Sequence, residues 1–414
     1  MVVKKFETDI LVIGGGLAGA FAAIKAKEAG IKKVTLVSKG KLGKDSVTTF
    51  GAGVYAMFLP DDDRDQMFKH CALHETLGDG LYDEEWLKIF FDENYDRILD
   101  MEKWGVKFEK TPDGKYKRVE ARWKFLVGMF QGPKLMEVIA GKVIESGVTV
   151  VPRIMITDLL TINGEIGERV VEAVGFDGRT GEFKVFEAKA TIIAAGACSM
   201  KARFAGQRFE TGDTYAMAYR AGAKLGGLEL GHLMQTTCTD FDTQGLNMFV
   251  GLGGQFINNK GESFMLDYDP ELGNHSSMSR LSEASAMEVR AGRGPIYLDM
   301  TFFTSEEMKL FMTALPLPMM IMERAGVIVD DRIVKKMEWA PAWRGLIAQG
   351  GGVVVNRKCE ASLPGLYACG DAMERHKHPP LGLPGAAVTG ARAGRFAAEY
   401  IKDAPTPRIH EKQV

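Results

Sequence analysis

Six residues near the start of the chain, Gly14-Gly15-Gly16-Leu17-Ala18-Gly19, have the GxGxxG spacing with which a polypeptide holds a pyrophosphate. Gly14 permits a tight turn, Gly16 lets backbone N–H groups approach the phosphates, and Gly19 allows close packing of helix on strand. A second group, Arg375-His376-Lys377-His378, sets two imidazoles among cations, a cluster able to clamp an anion or donate a proton. Its plainer reading is a solvated loop. Arg344 beside Trp343, Arg280 and His232 are further candidates for anion contact or acid catalysis. Against these stand a hinge or surface role for Arg344, a solvent-facing Arg280 and a satisfied core histidine at 232. His70 and His74, at i and i+4, have a zinc-compatible spacing, but no third ligand is visible, so a plain helix face is expected and no metal site.

These residues need elements to position them. Asp9–Ile13 reads as a buried parallel strand, the glycines follow at once, then a helix over Ala20–Ala29 stopped by Gly30, and a second strand over Val34–Val37. That is a βαβ unit with the glycine turn in the phosphate-binding place. Dinucleotide sites often carry Asp or Glu at the end of the second strand for the ribose; Ser38-Lys39 stands here, which weakens a case for NAD. A hairpin over Val170–Phe186, turning at Asp177–Gly181, leads to a second buried strand ending Ile192-Ile193-Ala194-Ala195-Gly196. Leu366 to Cys369 is a third strand, ending in Gly370-Asp371, and a glycine-opened helix runs from Gly385 to Ile401.

The expected fold class is α/β: a Rossmann-like domain, a parallel sheet with helices and a β-hairpin insertion, assembled from residues 1–224 and 345–402. An α+β unit over 225–344 is inserted between the halves, and 403–414 is expected to be a flexible tail. Within the insert the Met-rich run Pro316–Met322 reads as core packing, and Asp61–Asp65 in the first half as an acidic turn capping a helix.

Composition excludes several classes. The 414 residues carry 52 Lys+Arg against 54 Asp+Glu, so the basic surplus of a nucleic-acid binder is missing. No apolar run approaches the roughly 18 residues of a membrane helix. The five cysteines lie ten or more residues apart, which excludes a CxxC-type metal or iron–sulfur site and argues against a disulfide framework; a cytoplasmic location is expected. Glycine, at 48 residues, is in excess, as suits close approach of backbone to a ligand.

From Asp9 to about Ile401 the chain resembles the flavoprotein subunits of fumarate reductase, succinate dehydrogenase, L-aspartate oxidase and adenylylsulfate reductase. The likeness rests on seven segments in the family's order: the opening βαβ, the Ser38-Lys39 strand end with its Gly/Ser/Thr loop, the strand at Thr191–Ala197, Thr211 to Ala223, Gly253 to Met265, Val289 to Thr301, and Gly365–Ala372 with Val388–Arg395. It implies an FAD-binding domain, a capping domain at 225–344, and FAD in an extended pose. Gly14, Gly16, Leu17, Ala18 and Gly19 would take the pyrophosphate, Ser38 and Lys39 the ribose end, and Ser46, Thr48, Thr49, Gly51 and Gly53 the following loop. Ile156, Ala195, Gly196, Thr211, Gly212 and Asp213 would line the other side. Gly370 and Asp371 would meet the ribitol, and the helix opening at Gly385, Ala386 and Ala387 would turn its positive end to the flavin. Ser46 stands nearest the slot where succinate dehydrogenases carry the flavin on a His, so the FAD is expected to be non-covalent.

Where dicarboxylate-handling members carry two His and an Arg, this chain has Met234, Ile347 and Pro380, and Arg280 sits about two residues out of the register of the family's shuttle Arg. Fumarate, succinate and aspartate are therefore not expected as substrates. Arg122-Trp123-Lys124, Gly132-Pro133-Lys134, Asn274-His275 and Met287 to Tyr297 are similar to the adenylylsulfate reductase branch. The resemblance implies hydride transfer between flavin N5 and a small anionic or acyl-thioester substrate, with His376, His378, Arg280, Arg344 and His232 as catalytic candidates. Electrons would pass through a separate iron–sulfur or ferredoxin-like subunit, and an oligomer is compatible with the resemblance. The alternatives are an electron-transfer flavoprotein subunit without its own organic substrate, a sulfur-compound reductase, or an NAD-binding regulatory module.

Overall fold

A computed structural model describes residues 4–51, 53–68, 83–120, 126–130, 132–199, 206–207, 210–229, 236–242, 246–341, 351–374 and 382–405. Strand β1 (Lys4–Ile13) is twice as long as the apolar run Asp9–Ile13 suggests, because its polar first half pairs in parallel with Lys184–Ala188 and stacks Phe6 on Phe186 at 4.8 Å. Helix α1 (Leu17–Glu28) starts directly on the glycine turn, three residues earlier than expected, and strand β2 (Val34–Ser38) follows.

Strands β1 and β2 belong to a seven-stranded sheet. Thr149–Pro152, β2, β1 and Phe183–Ile193 lie side by side in parallel. The long strand Phe183–Ile193 then serves two neighbours. Its first half pairs antiparallel with Val170–Asp177, which pairs with Ile154–Thr161, while its last residues pair in parallel with Leu366–Ala368. In register, Ile13 stands opposite Val37 and Ile193, and Ile193 opposite Ala368. The carboxyl ends of strands drawn from both chain ends are therefore level, the arrangement that opens a ligand crevice in α/β sheets.

Helix α1 is buried on every side from Leu17 to Ile24, and the C-terminal helix (Leu383–Tyr400) is buried over most of its length. The two cross almost backbone to backbone. A Cβ on Gly390 would come within 2.3 Å of the Ala18 carbonyl oxygen, and one on Gly394 within 2.2 Å of that of Ala22. Two glycines one turn apart thus form a seam that no larger side chain can enter.

The inserted segment enters and leaves through an antiparallel ribbon, Leu225–Gly226 with Gly352–Val353. Within it, Thr236–Cys238, Met337–Pro341, Tyr297–Asp299 and Gln255–Ile257 form a four-stranded sheet flanked by helices including Met278–Glu288, Ser305–Ala314 and Pro316–Arg324. Helix Ser305–Ala314 begins on a reciprocal capping pair, Thr304 with Glu307. A second core fills this region: Phe249 packs on Phe311 and Trp339 at centroid distances of 5.3 and 6.1 Å, among Met265, Met300, Met308, Met319 and Met322. The Met-rich run is core on one face, while Met320 is exposed. This core also takes in Ala56, Phe58, Leu87, Phe90, Phe91, Val127 and Met129, residues that precede the insert in sequence.

The acidic turn at Asp61–Asp65 does more than cap. Asp63 Oδ1 accepts from Gln66 N at 3.0 Å, and Asp62 receives both Arg118 guanidinium nitrogens at 2.6 and 2.9 Å.

Candidate cofactor site

At the carboxyl edge of the parallel strands lies a groove open to solvent. Its floor is the glycine turn. Gly14 has φ +121°, and a Cβ there would lie 2.1 Å from Ala194 O; a Cβ on Gly19 would lie 2.0 Å from Gly14 O. These two glycines are required to close the strand–helix turn on itself. Gly16 is different: a Cβ there meets nothing within the protein closer than Thr48 Oγ1 at 3.5 Å, so its bareness leaves space in the groove.

The amino end of α1 opens on this floor. Gly16 is its N-cap and brings no side chain of its own, and the first turn holds no acidic residue. Thr48 Oγ1 accepts from Leu17 N at 3.2 Å, fixing the loop after β2 against the helix. The other N–H groups of this first turn, facing bare glycine, are a donor set of the kind a pyrophosphate needs.

Of the residues expected to hold the cofactor, Gly14, Gly16, Leu17, Ala18, Ser38, Lys39, Ser46, Thr48, Ile156, Ala195, Gly196, Asp213, Gly370, Asp371 and Ala386 line the groove. Gly19, Thr49, Gly51, Gly53, Thr211, Gly212, Gly385 and Ala387 do not, and several of them work from behind. Thr49 Oγ1 bonds Ser46 Oγ at 3.1 Å, and Gly212, at φ +78°, starts the helix Asp213–Ala221. Ser38 faces the loop as well as the groove, since its hydroxyl donates to Gly40 O at 3.1 Å and accepts from Gly40 N at 3.3 Å. Asp45, Met155, Glu210 and Met217 also line the groove and were not anticipated. Glu210, directly before the Thr211-Gly212-Asp213 run, is buried; an acidic residue adjoining that motif was the available signal.

At the other end, Gly370 N donates to Thr389 Oγ1 at 2.9 Å, and the same hydroxyl donates to Gly385 O at 2.7 Å. One side chain thus ties the Gly370-Asp371 turn to the first turn of the C-terminal helix, which carries no acidic residue and so presents its positive end unneutralised. Behind it, Cys359 Sγ donates to Thr389 O at 3.6 Å; burial pushes Cys359 up to about 12 and raises Cys369 well above the usual thiol range, so both are neutral.

Arg280 stands apart. It lies in the first turn of helix Met278–Glu288, half exposed, with its guanidinium 2.9 Å from Glu283, and it does not line the groove. His232, Arg344, His376 and His378 lie outside the described residues, as do His70, His74, Arg122–Lys124, Trp343, Met234, Ile347 and Pro380. Asn274 has a structural task, its Oδ1 accepting from Phe256 N at 2.9 Å. Among the described residues no group of three or more His, Cys, Asp or Glu could hold a metal, and no helix is long and apolar enough to cross a membrane.

The family profile described as "FAD binding domain" matches residues 9–388. An uncharacterised FAD-dependent oxidoreductase of Methanocaldococcus jannaschii is 28% identical over 413 residues, covering 96% of this chain and 73% of that protein. The fumarate reductase flavoprotein subunit of Mycobacterium tuberculosis is 30% identical, covering 95% of this chain and 70% of its own length. Among solved structures, adenylylsulfate reductase of Archaeoglobus fulgidus superposes with a TM-score of 0.81 at 23% identity, covering 99% of this chain and 72% of that one, a likeness of fold.

Proposed function

The chain belongs to the FAD-binding family of the fumarate reductase and succinate dehydrogenase flavoproteins and is an FAD-dependent oxidoreductase, and from that premise we propose that it works on a small anionic or acyl-thioester substrate other than fumarate, succinate or aspartate. FAD supplies hydride transfer at its N5 when bound. Gly16 and Ala18 hold the pyrophosphate by backbone N–H groups, with Leu17, whose N–H is held by Thr48, lining the same turn; Lys39 and Asp213 flank the adenosine end, and Gly370, Asp371 and Ala386 receive the ribitol and flavin end. The FAD is non-covalent, since Ser46 occupies the loop position from which a covalent His would reach it.

The observation that carries this reading is the groove floor, where a helix start free of acidic residues adjoins a glycine whose missing side chain the protein itself does not fill. The substrate exclusion rests on Met234, Ile347 and Pro380 standing where dicarboxylate-handling members carry ligands. His376, His378, Arg344 and His232 are the proposed basic groups for orienting the substrate and delivering a proton, with Arg280 joining them only if its helix swings inward. Residues 1–224 with 345–402 form the FAD-binding unit and 225–344 the cap over it. An iron–sulfur or ferredoxin-like subunit in the cytoplasm carries the electrons. The same three replacements favour a second reading, a relay subunit without an organic substrate of its own.

The deciding experiment is a visible spectrum of the purified protein before and after acid precipitation, followed by anaerobic mixing of the reduced protein with 2-enoate anions and enoyl thioesters. Flavin bands that pass to the supernatant, and rapid reoxidation by one of these acceptors, are expected. Flavin retained in the pellet overturns the non-covalent assignment, a colourless protein that FAD does not reconstitute overturns the cofactor site, and reoxidation by iron–sulfur proteins alone selects the relay.

A further inference from the structure

Two walls of the groove touch at one place. Lys39, the first residue after β2, extends its ammonium to Asp213 Oδ2 at 2.8 Å and donates to Thr211 Oγ1 at 2.6 Å. Both Lys39 and Asp213 line the groove, yet they belong to different elements, one following β2 and the other starting the helix Asp213–Ala221, and lie 174 residues apart in sequence. The anchor on the far side is itself braced, because Thr211 Oγ1 bonds both Asp213 carboxylate oxygens at 3.0 Å and Thr214 Oγ1 donates to Gly196 O at 2.8 Å. On the near side, Ser38 Oγ holds the backbone of Gly40 and Asp45 Oδ2 accepts from Lys41 N at 2.7 Å, so the segment bearing Lys39 is fixed by its own loop.

We propose that the Lys39–Asp213 pair, with Thr211, is a latch across the adenosine end of the groove that must open for the dinucleotide to enter and again for it to leave; this rests on the cofactor assignment above. The pair joins two separately braced walls, so forming it narrows the groove and opening it need not disturb either wall. Its partners are half to mostly shielded side chains at the groove mouth, where water and salt compete for them. A latch changes rates in a way that a simple cofactor contact does not. Removing a contact speeds departure alone, whereas removing a gate speeds both entry and departure.

The test uses the full chain stripped of flavin and follows FAD binding by quenching of flavin fluorescence in stopped flow, for wild type, Lys39→Met, Asp213→Asn, the double variant, and the exchanged pair Lys39→Asp with Asp213→Lys. Either single substitution is expected to raise both association and dissociation rates about three- to fivefold. The double variant should be no faster than the faster single one, and the exchanged pair should return both rates toward wild type. In wild type both rates should rise with ionic strength, and in the double variant this dependence should be lost. Additive effects confined to dissociation, with no recovery in the exchanged pair, would show two independent cofactor contacts and overturn the latch. Wild type that fails to bind FAD at all would instead overturn the cofactor assignment, so the two failures are distinct.

Discussion

The seam between α1 and the C-terminal helix and the core of the inserted segment solve opposite packing problems. The seam is made by omission: Gly390 and Gly394 bring two helices together until backbone meets backbone, and Gly14 and Gly19 do the same for the turn beneath them. The second core is made by filling, with Phe249, Phe256, Phe311 and Trp339 interleaved with methionines. A backbone contact has no rotamer to change, so the seam fixes where the two helix starts sit relative to the groove. Methionine side chains can repack, so the second core can vary without moving what lies around it. The frame around the groove is rigid in this molecule, and the second core is compliant.

The largest effect that can break this contrast is expected from Gly394→Val, which sets a branched side chain against the Ala22 carbonyl with its Cβ only 2.2 Å away. A loss of about 4 kcal/mol or more, enough to prevent folding, should appear in urea unfolding; a wild-type midpoint would mean that the seam yields. Met322→Leu, fully buried in the second core, should cost under about 1.5 kcal/mol in the same experiment and leave FAD affinity unchanged. A larger loss would show that the filled core is as intolerant as the seam.

How far the sequence foretold this division differs between the regions. The turn Gly14–Gly19, the strand ends at Gly196 and Asp371 and the hairpin turning at Asp177–Gly181 were legible because each is local: a few residues of the right type at fixed spacing. The close packing at Gly19 was legible in kind, and the structure adds that a side chain at Gly16 would meet no such clash. The Lys39–Asp213 bridge, the Thr389 tie and the recruitment of Phe58, Phe90 and Met129 to the second core were not legible, since each joins segments remote in sequence that only the folded sheet brings together. Pattern reading sees periodicity within an element and is blind to which distant element supplies the other half of a contact. The length of β1 was missed for the same reason, because its polar half is held by a partner about 180 residues away.

The smallest expected effect concerns acid. In the inserted segment Glu288 accepts hydrogen bonds from Arg293 at 2.6 and 2.8 Å, from Tyr268 Oη at 2.7 Å and from Asn258 Nδ2 at 3.1 Å. These, with Arg293 foremost, hold its carboxyl down at about 2 against an ordinary 4.5. Its folded value lies below the unfolded one, so its contribution is complete above about pH 4.5 and is lost as pH falls through about 2. Glu288→Gln should flatten that limb of a thermal-stability profile and leave the neutral-pH flavin spectrum as it was. An unchanged acid limb would place the sensitivity elsewhere and remove this pin from the compliant region.

The strand Leu366–Ala368 carries a consequence for how the protein is made. It pairs with Thr191–Ile193, laid down by the ribosome 175 residues earlier, and the helix bearing Gly390 and Gly394 emerges later still. During synthesis β1, α1 and β2 are exposed first and wait, without the partner that covers α1, while the whole insert is translated and can fold behind its ribbon. The groove gains its lining at Ala386 only once the helix Leu383–Tyr400 has been made, so a nascent chain halted before residue 383 has an unfinished groove.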